Sequence, residues 1–348
     1  VCIISKDADI TVAFEVELPE LYTVTSAEYE TIHGCWCKAV RVLPDFSVVH
    51  KQDWFVRETY KPELQKEGMS FLSRSFERHF NERPYLKHTC YLYLTKTTKE
   101  RSRMQSNFST LCRGNIIPKE LDRETTEKFM EATEQFARIM NDSGFIRLRR
   151  LSTDEITGTD GKAGVIERYF SLMPEDNATL QDIGLSAREM RIGDNYLCLH
   201  TLSDVEDLPG KVATDTRYER LSTDRSDCRL SFASPVGLLL PCNHIYNQYV
   251  ILDNSEENLQ KFEKSARNMQ SLSRYSRSNS INREWIEQYL NEAHSYGLTS
   301  VRAHFNVMAW SDDAEELKHI KNDVGSQLAS MECVPRHNTI DCPTLYWA

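Results

Sequence analysis

No stretch of this sequence approaches the roughly 18 consecutive apolar residues that a membrane-spanning helix needs. The best run, Val236-Gly237-Leu238-Leu239-Leu240, has the length of a strand. A secretory leader pattern is also missing, because Val1-Cys2-Ile3-Ile4 runs at once into Lys6 and Asp7. Ten cysteines are present, yet none forms Cys-x-x-Cys, which removes common zinc and redox spacings. Without secretory context, reduced and mostly buried thiols are expected rather than a disulfide framework. The close pair Cys35 and Cys37 flanks Trp36 in a helical pattern, where residues two apart do not face each other. No Gly-x-Ser-x-Gly elbow, His-Glu-x-x-His helix or Gly-x-Gly-x-x-Gly turn occurs. An excess of positive charge is lacking too. The 348 residues carry 42 Lys and Arg against 52 Asp and Glu, net −10, which argues against a dedicated nucleic-acid coat or a generally basic membrane-binding surface.

The glycine-rich stretch Gly158-Thr159-Asp160-Gly161-Lys162-Ala163-Gly164 fails as a phosphate-binding loop. A Walker A loop needs a glycine five residues before its Gly-Lys and a hydroxyl directly after, so that backbone amides cradle phosphates and the hydroxyl holds magnesium. Ile156 and Ala163 stand at those two positions. A tight reversal between structured segments accounts for the same residues.

What is present reads as a mixture of strands and helices. Val12, Phe14, Val16 and Leu18 alternate with polar or small neighbours, the period of a half-buried strand. Thr25 and Glu28 have capping-box spacing ahead of Ile32, Trp36, Ala39, Val40 and Leu43, an amphipathic helix. A β-rich run from Phe46 to Val56, a helix around Phe71 to Phe80, a strand through Cys90, Leu92 and Leu94, a helix through Phe129, Phe136 and Met140, and a strand from Phe145 to Leu151 complete the first part. Leaving aside the inserted helix, the order is βαββαβ, the ferredoxin-like plan. Gly, Asp and Thr enrich residues 152 to 252, where Met190 to Ile192 and Tyr196 to His200 flank a hairpin signal and strands follow at Cys228 to Phe232 and Ile245 to Leu252. Two further helices, a long strand with Val301, Phe305 and Val307, and a helix opened by Asp312 and Glu315 make up the rest. The expected fold class is α+β: a ferredoxin-like first half, an antiparallel meander in the middle and a mixed α/β last part. The expected domains are a split-βαβ unit over 1–151 and a second α+β region over 152–348, β-rich to about 252. No internal repeat is legible in the sequence.

Two basic runs and one strand are candidate contact sites. Lys264, Arg267, Arg274, Arg277 and Arg283, with Lys261 and Tyr275, lie in a segment without acidic residues between Glu263 and Glu284. This is the candidate polyanion-contact patch; a solvated helix face joined to a Ser-rich connector is the simpler account of the same residues. Lys96, Lys99, Arg101 and Arg103 form a shorter run that an exposed connection explains. Arg302, His304 and Asn306 share one face of a strand, which would line a site; a half-buried sheet with one polar face predicts the same pattern. Asp224-Arg225-Ser226-Asp227 reads as a salt-bridged turn. None of these supplies a catalytic apparatus, a cofactor site or a metal site.

Longer blocks carry a resemblance. They are ISKDADITVAF (from Ile4), HKQDWF (50–55), FLSRSFERHFNERP (71–84), LTKTTKER (94–101), VATDTRYE (212–219), LSTDRSDCRLSFASPVG (221–237), NHIYNQY (243–249), LDNSEEN (252–258) and HFNVMAWSDD (304–313). Together they resemble the amino-terminal part of TraG-family conjugation ATPases of Bacteroides-type conjugative transposons. The resemblance implies a cytoplasmic type IV secretion ATPase on the inner face of the inner membrane. In it, an amino-terminal α+β region docks on channel components or sister subunits, and a RecA-like motor binds ATP and Mg. The Walker motifs have no positions in this sequence, so the motor is expected beyond residue 348 and this region is expected to be non-catalytic. The alternative is a nucleic-acid-binding module that contacts transferred DNA through Lys264 to Arg283.

Overall fold

The Thr25 hydroxyl accepts the backbone N–H of Glu28 while the Glu28 carboxylate accepts that of Thr25, closing the capping box at the start of helix α1 (Ser26–Val42). The computed structural model to which this helix belongs describes residues 1–5, 9–60, 69–98, 123–172, 181–186, 189–202, 204–273 and 275–347. Its first elements are β1 (Ile3–Ile4), β2 (Ile10–Glu17), α1, β3 (Ser47–Thr59), α2 (Phe71–Asn81), β4 (Pro84–Lys96), α3 (Arg123–Asp142) and β5 (Arg147–Arg150). Four of these strands pair in the order β5–β2–β4–β3, all antiparallel. That is the strand order of the ferredoxin-like plan, as the apolar periods imply. Helices α1 and α3 lie together on one face, where Trp36 and Phe136 meet edge to face at 5.8 Å. Phe129, Phe136 and Met140 of α3 are almost wholly buried against Val12, Phe14, Leu92 and Leu94, each contributing about 1.5–3 kcal/mol through apolar surface removed from water.

The remaining elements are α4 (Thr153–Thr157), α5 (Val165–Ser171), β6 (Ile183–Leu185), β7 (Met190–Ile192), β8 (Asn195–Leu202), β9 (Thr216–Arg217), β10 (Arg229–Leu230), α6 (Ser234–Leu239), β11 (Asn243–Leu252), α7 (Ser255–Leu272), α8 (Arg277–Tyr296), β12 (Val301–Ser311), α9 (Ala314–Ser330), β13 (Arg336–Asn338) and α10 (Cys342–Tyr346). β6, β7 and β8 form an antiparallel meander. β8 also pairs with β12 and β13, and β12 with β11. The order β13–β8–β12–β11 repeats the β5–β2–β4–β3 order of the first half, strand for strand in chain sequence. The chain is therefore built twice on one plan, a repetition of topology that its residues do not spell out.

The two copies join through β3 and β11, paired from Val48↔Ile251 to Phe55↔His244. One continuous sheet results. Val49 and Val250 are cross-strand partners that both belong to the core under α1 and α3. Along β11 every second residue shares that face, so Tyr246, which packs on the core beneath α6 and α9, lies on it too. All four helices thus cover the same side, and an approximate twofold axis runs through the seam. A third core, with Trp54, Leu197, Leu199, Ile245, Met308 and Trp310, spans both copies on the opposite side under α4, α5 and α10. The α+β class is observed. Its middle part also holds three short helices, α4, α5 and α6, of at most seven residues, too short to display a helical period.

Each copy carries a helical excursion in the same hairpin. α2 lies between β3 and β4, and α7 with α8 lies between β11 and β12. Since β3 and β11 are antiparallel, the excursions leave from opposite ends of the sheet. Helix α9 is capped by Asp313, which accepts the N–H of Glu315, one residue after the Asp312 expected from the sequence.

Candidate functional site

The seam concentrates polar side chains where a sheet interior is normally apolar. On the side facing α5 and α10, Asn247 of β11 accepts hydrogen bonds from Gln52 at 3.0 Å and donates to Asn306 at 2.9 Å, while its carbonyl oxygen meets His50 Nε2 at 2.9 Å. Gln52 in turn accepts from Trp54 Nε1 at 2.7 Å, and Asn306 reaches His304 at 3.2 Å. His50 stacks on Tyr249 with ring centroids 4.0 Å apart. Burial pushes the His50 imidazole down to about 4, so the ring is neutral at pH 7. Of the strand residues expected to line a site, His304 and Asn306 join this network. Arg302 sits at the strand end and pairs with Asp253 at 2.7 Å. The network was not visible in the sequence, because it depends on the register between β3 and β11.

The opposite side of the seam carries a partly buried ion pair. Lys51 and Asp53, two apart on β3, are in contact, and His88 of β4 reaches the other Asp53 oxygen at 2.9 Å. Burial opposes the charge on Asp53, but the Lys51 ammonium and His88 together outweigh it and hold the carboxyl well below its ordinary range. Burial likewise opposes the Lys51 charge, and Asp53 more than restores it. Beside them the Cys90 thiol is pushed far up by burial, which makes it a poor nucleophile. The Phe55 ring is sandwiched between His88 and His244, with centroids 4.5 and 4.6 Å away. This arrangement stores charge without presenting a reactive thiolate, serine or open metal position. Among the described residues no group of three His, Cys, Asp or Glu is placed to hold a metal ion, and nine cysteines are free.

The exposed chemistry is on the two excursions. Helix α2 buries none of its residues, and Phe71, Leu72, Phe76 and Phe80 all face solvent, Phe71 at 78 % exposure. Ser70 caps it through the Ser73 N–H. In the second excursion, α7 and α8 pack against each other through Phe262 and Tyr289, at 5.2 Å, and through Ala266, Leu290 and Ala293. Tyr275, Trp285 and Tyr296 remain largely exposed. Lys264 and Arg267 of the candidate polyanion patch lie on α7, and Arg277 and Arg283 lie on α8. Arg274 lies outside the described residues, as do Lys99, Arg101 and Arg103 of the shorter basic run. Arg283 is paired with Glu287 at 2.7 Å and Arg267 with Glu263 at 3.8 Å, both one helical turn away. Acidic neighbours therefore spend part of the patch's charge. The Asp224–Asp227 turn is salt-bridged, with Asp227 meeting Arg217 at 3.2 Å and Arg229 at 3.3 Å.

In the glycine-rich stretch, Thr159 and Lys162 exchange backbone hydrogen bonds across Asp160 and Gly161, a tight reversal. Gly158 has φ +89°, and a Cβ there would lie 2.8 Å from the Gly164 nitrogen. The glycines serve a close backbone crossing between α4 and α5.

Residues 1–34 match a family model described as a domain of unknown function, B. Theta gene description (DUF3875). The matched stretch covers β1, β2 and the first half of α1. No curated protein matches the chain. No helix among the described residues is long and apolar enough to cross a membrane.

Proposed function

We propose that this chain is the docking and assembly region of a conjugation ATPase resembling the TraG family, non-catalytic in itself. It supports DNA transfer by gripping inner-membrane components of a type IV secretion channel, its own motor domain or sister subunits, from the cytoplasmic face of the membrane. The sequence blocks from Ile4 to Asp313 motivate the family, and the match over residues 1–34 is compatible with a Bacteroides origin. The observation that carries the docking role is α2, a helix whose large apolar side chains are all presented to solvent. A contiguous apolar surface of this kind marks an interaction site. ATP and Mg belong to the motor in this reading, and no residue here is assigned to them.

Capture of purified channel components and of the motor by the immobilised chain tests the proposal. Binding is expected, with at least a tenfold loss when Phe76 and Phe80 become Ser. Binding to neither class of partner overturns it. ATP turnover by the chain alone, measured beside the full-length parent and a Walker-lysine variant of that parent, overturns the non-catalytic assignment. DNA binding that weakens with salt and with Arg267→Ala and Arg277→Ala would favour the nucleic-acid alternative, because phosphate contacts show both dependences.

A further inference from the structure

A hollow of about 410 Å³ lies on the helix side of the seam, between α1 and the strands β4, β3 and β11. Its walls are Leu18, Ile32, Trp36, Ile146 and Val250, inward-facing apolar side chains that folding leaves only half-buried. The segment bearing β9 and β10 roofs one side. It is tied to α1 by Ser26 donating to Asp215 at 2.9 Å, by Thr214 donating to Glu30 at 2.5 Å and by Tyr29 reaching the Arg229 carbonyl. The floor is polar and specific. Lys51 and Gln248 face each other across the seam as cross-strand partners, and both line the hollow. The Lys51 ammonium donates to Asp53 and lies beside the Cys90 thiol, and the Gln248 amide meets no hydrogen-bond partner among the described residues. An ammonium has three donors and an amide has two donors and an acceptor, so this floor holds hydrogen-bonding capacity that the protein does not use.

We infer that the hollow is a binding site for one aliphatic chain ending in an oxygen head group, the chain against Trp36 and Val250 and the head between Lys51 and Gln248. Its volume falls in the range of small-molecule pockets, roughly 300–1,000 Å³, and its makeup of apolar walls with a few convergent polar groups is theirs as well. Charge at the floor of the hollow complements such a head. Lys51 remains protonated beside Asp53, and ammonium–oxygen hydrogen bonds are among the stronger ones. The site is independent of the docking reading, since it involves neither α2 nor α7 and α8.

The experiment is titration of the purified chain with decanoate and, separately, decanol, read by calorimetry and by tryptophan emission, to which Trp36 contributes. Saturable one-to-one binding of at least one of them is expected. Tighter binding of decanoate by tenfold or more identifies an anionic head, and equal binding identifies a neutral one. Gln248→Leu, which removes no side-chain hydrogen bond among the described residues, is expected to weaken binding at least fivefold while leaving the circular dichroism unchanged. Val250→Phe, which fills the hollow, is expected to abolish it. No saturable binding, or binding that both variants retain, overturns the proposal.

Discussion

Three histidines resist protonation in the folded chain. Burial holds His50, His200 and His244 near 4, against about 6.5 in an unfolded chain. Between those values the unfolded state binds a proton that the folded state refuses, so stability falls as pH falls from 6.5 toward 4, by about 1.4 kcal/mol per pH unit for each histidine. Asp53 acts in the same direction further down: its folded-state value is depressed, so its contribution is complete above the unfolded carboxyl value and lost as pH drops below it. Urea midpoints measured from pH 7 to 5 are expected to fall steeply. His244 is the sharpest single test, because it is fully buried and its ring stacks on Phe55. His244→Phe keeps the stack and is expected to flatten the pH slope by about one histidine's share. Gly237 belongs to the same stack, since a Cβ there would lie 2.9 Å from the Phe55 ring. That ring is held between two imidazoles and has little room to yield. Gly237→Ala is expected to cost about 1–3 kcal/mol by overpacking, measured as a lower urea midpoint with unchanged slope.

The elements divide by what their periodicity reveals. Long helices with a cap and an apolar stripe, such as α1 behind Thr25 and α7 behind Asn254, were legible, because capping oxygen and stripe occur at fixed local spacings. α4, α5 and α6 were not, since one or two turns give no period to read. Within the candidate site, alternation along β12 pointed to His304 and Asn306. Their partners Gln52 and Asn247 were hidden, because strand register is decided across 195 residues of chain. Helix α2 was legible as a helix, but its exposure was not: an amphipathic stripe ordinarily signals a buried face, and here nothing among the described residues covers it. Because it buries no residue, Phe76→Ser with Phe80→Ser is expected to change stability by less than about 0.5 kcal/mol, checked by calorimetry, even as partner capture falls. Thr25→Ala, by contrast, removes a working cap and is expected to cost about 1 kcal/mol.

Across the whole molecule the repeat matters more than either copy. The core containing Trp54, Leu197, Met308 and Trp310 draws on both copies, and the seam buries the β3 edge against β11. A single cooperative calorimetric transition is therefore expected for the intact chain. Residues 1–151 produced alone are expected to self-associate, measured by light scattering, because the freed β3 edge is a template for another strand. The twofold seam also fixes where the two excursions point. Paired strands from Val48 to Phe55, at about 3.3 Å per residue, place more than 20 Å of stiff sheet between the base of one excursion and the base of the other. A body so arranged cannot close both ends on one small target like tweezers. Two partners seated one at α2 and one at α7 and α8 would be held apart at that set distance, as by a strut.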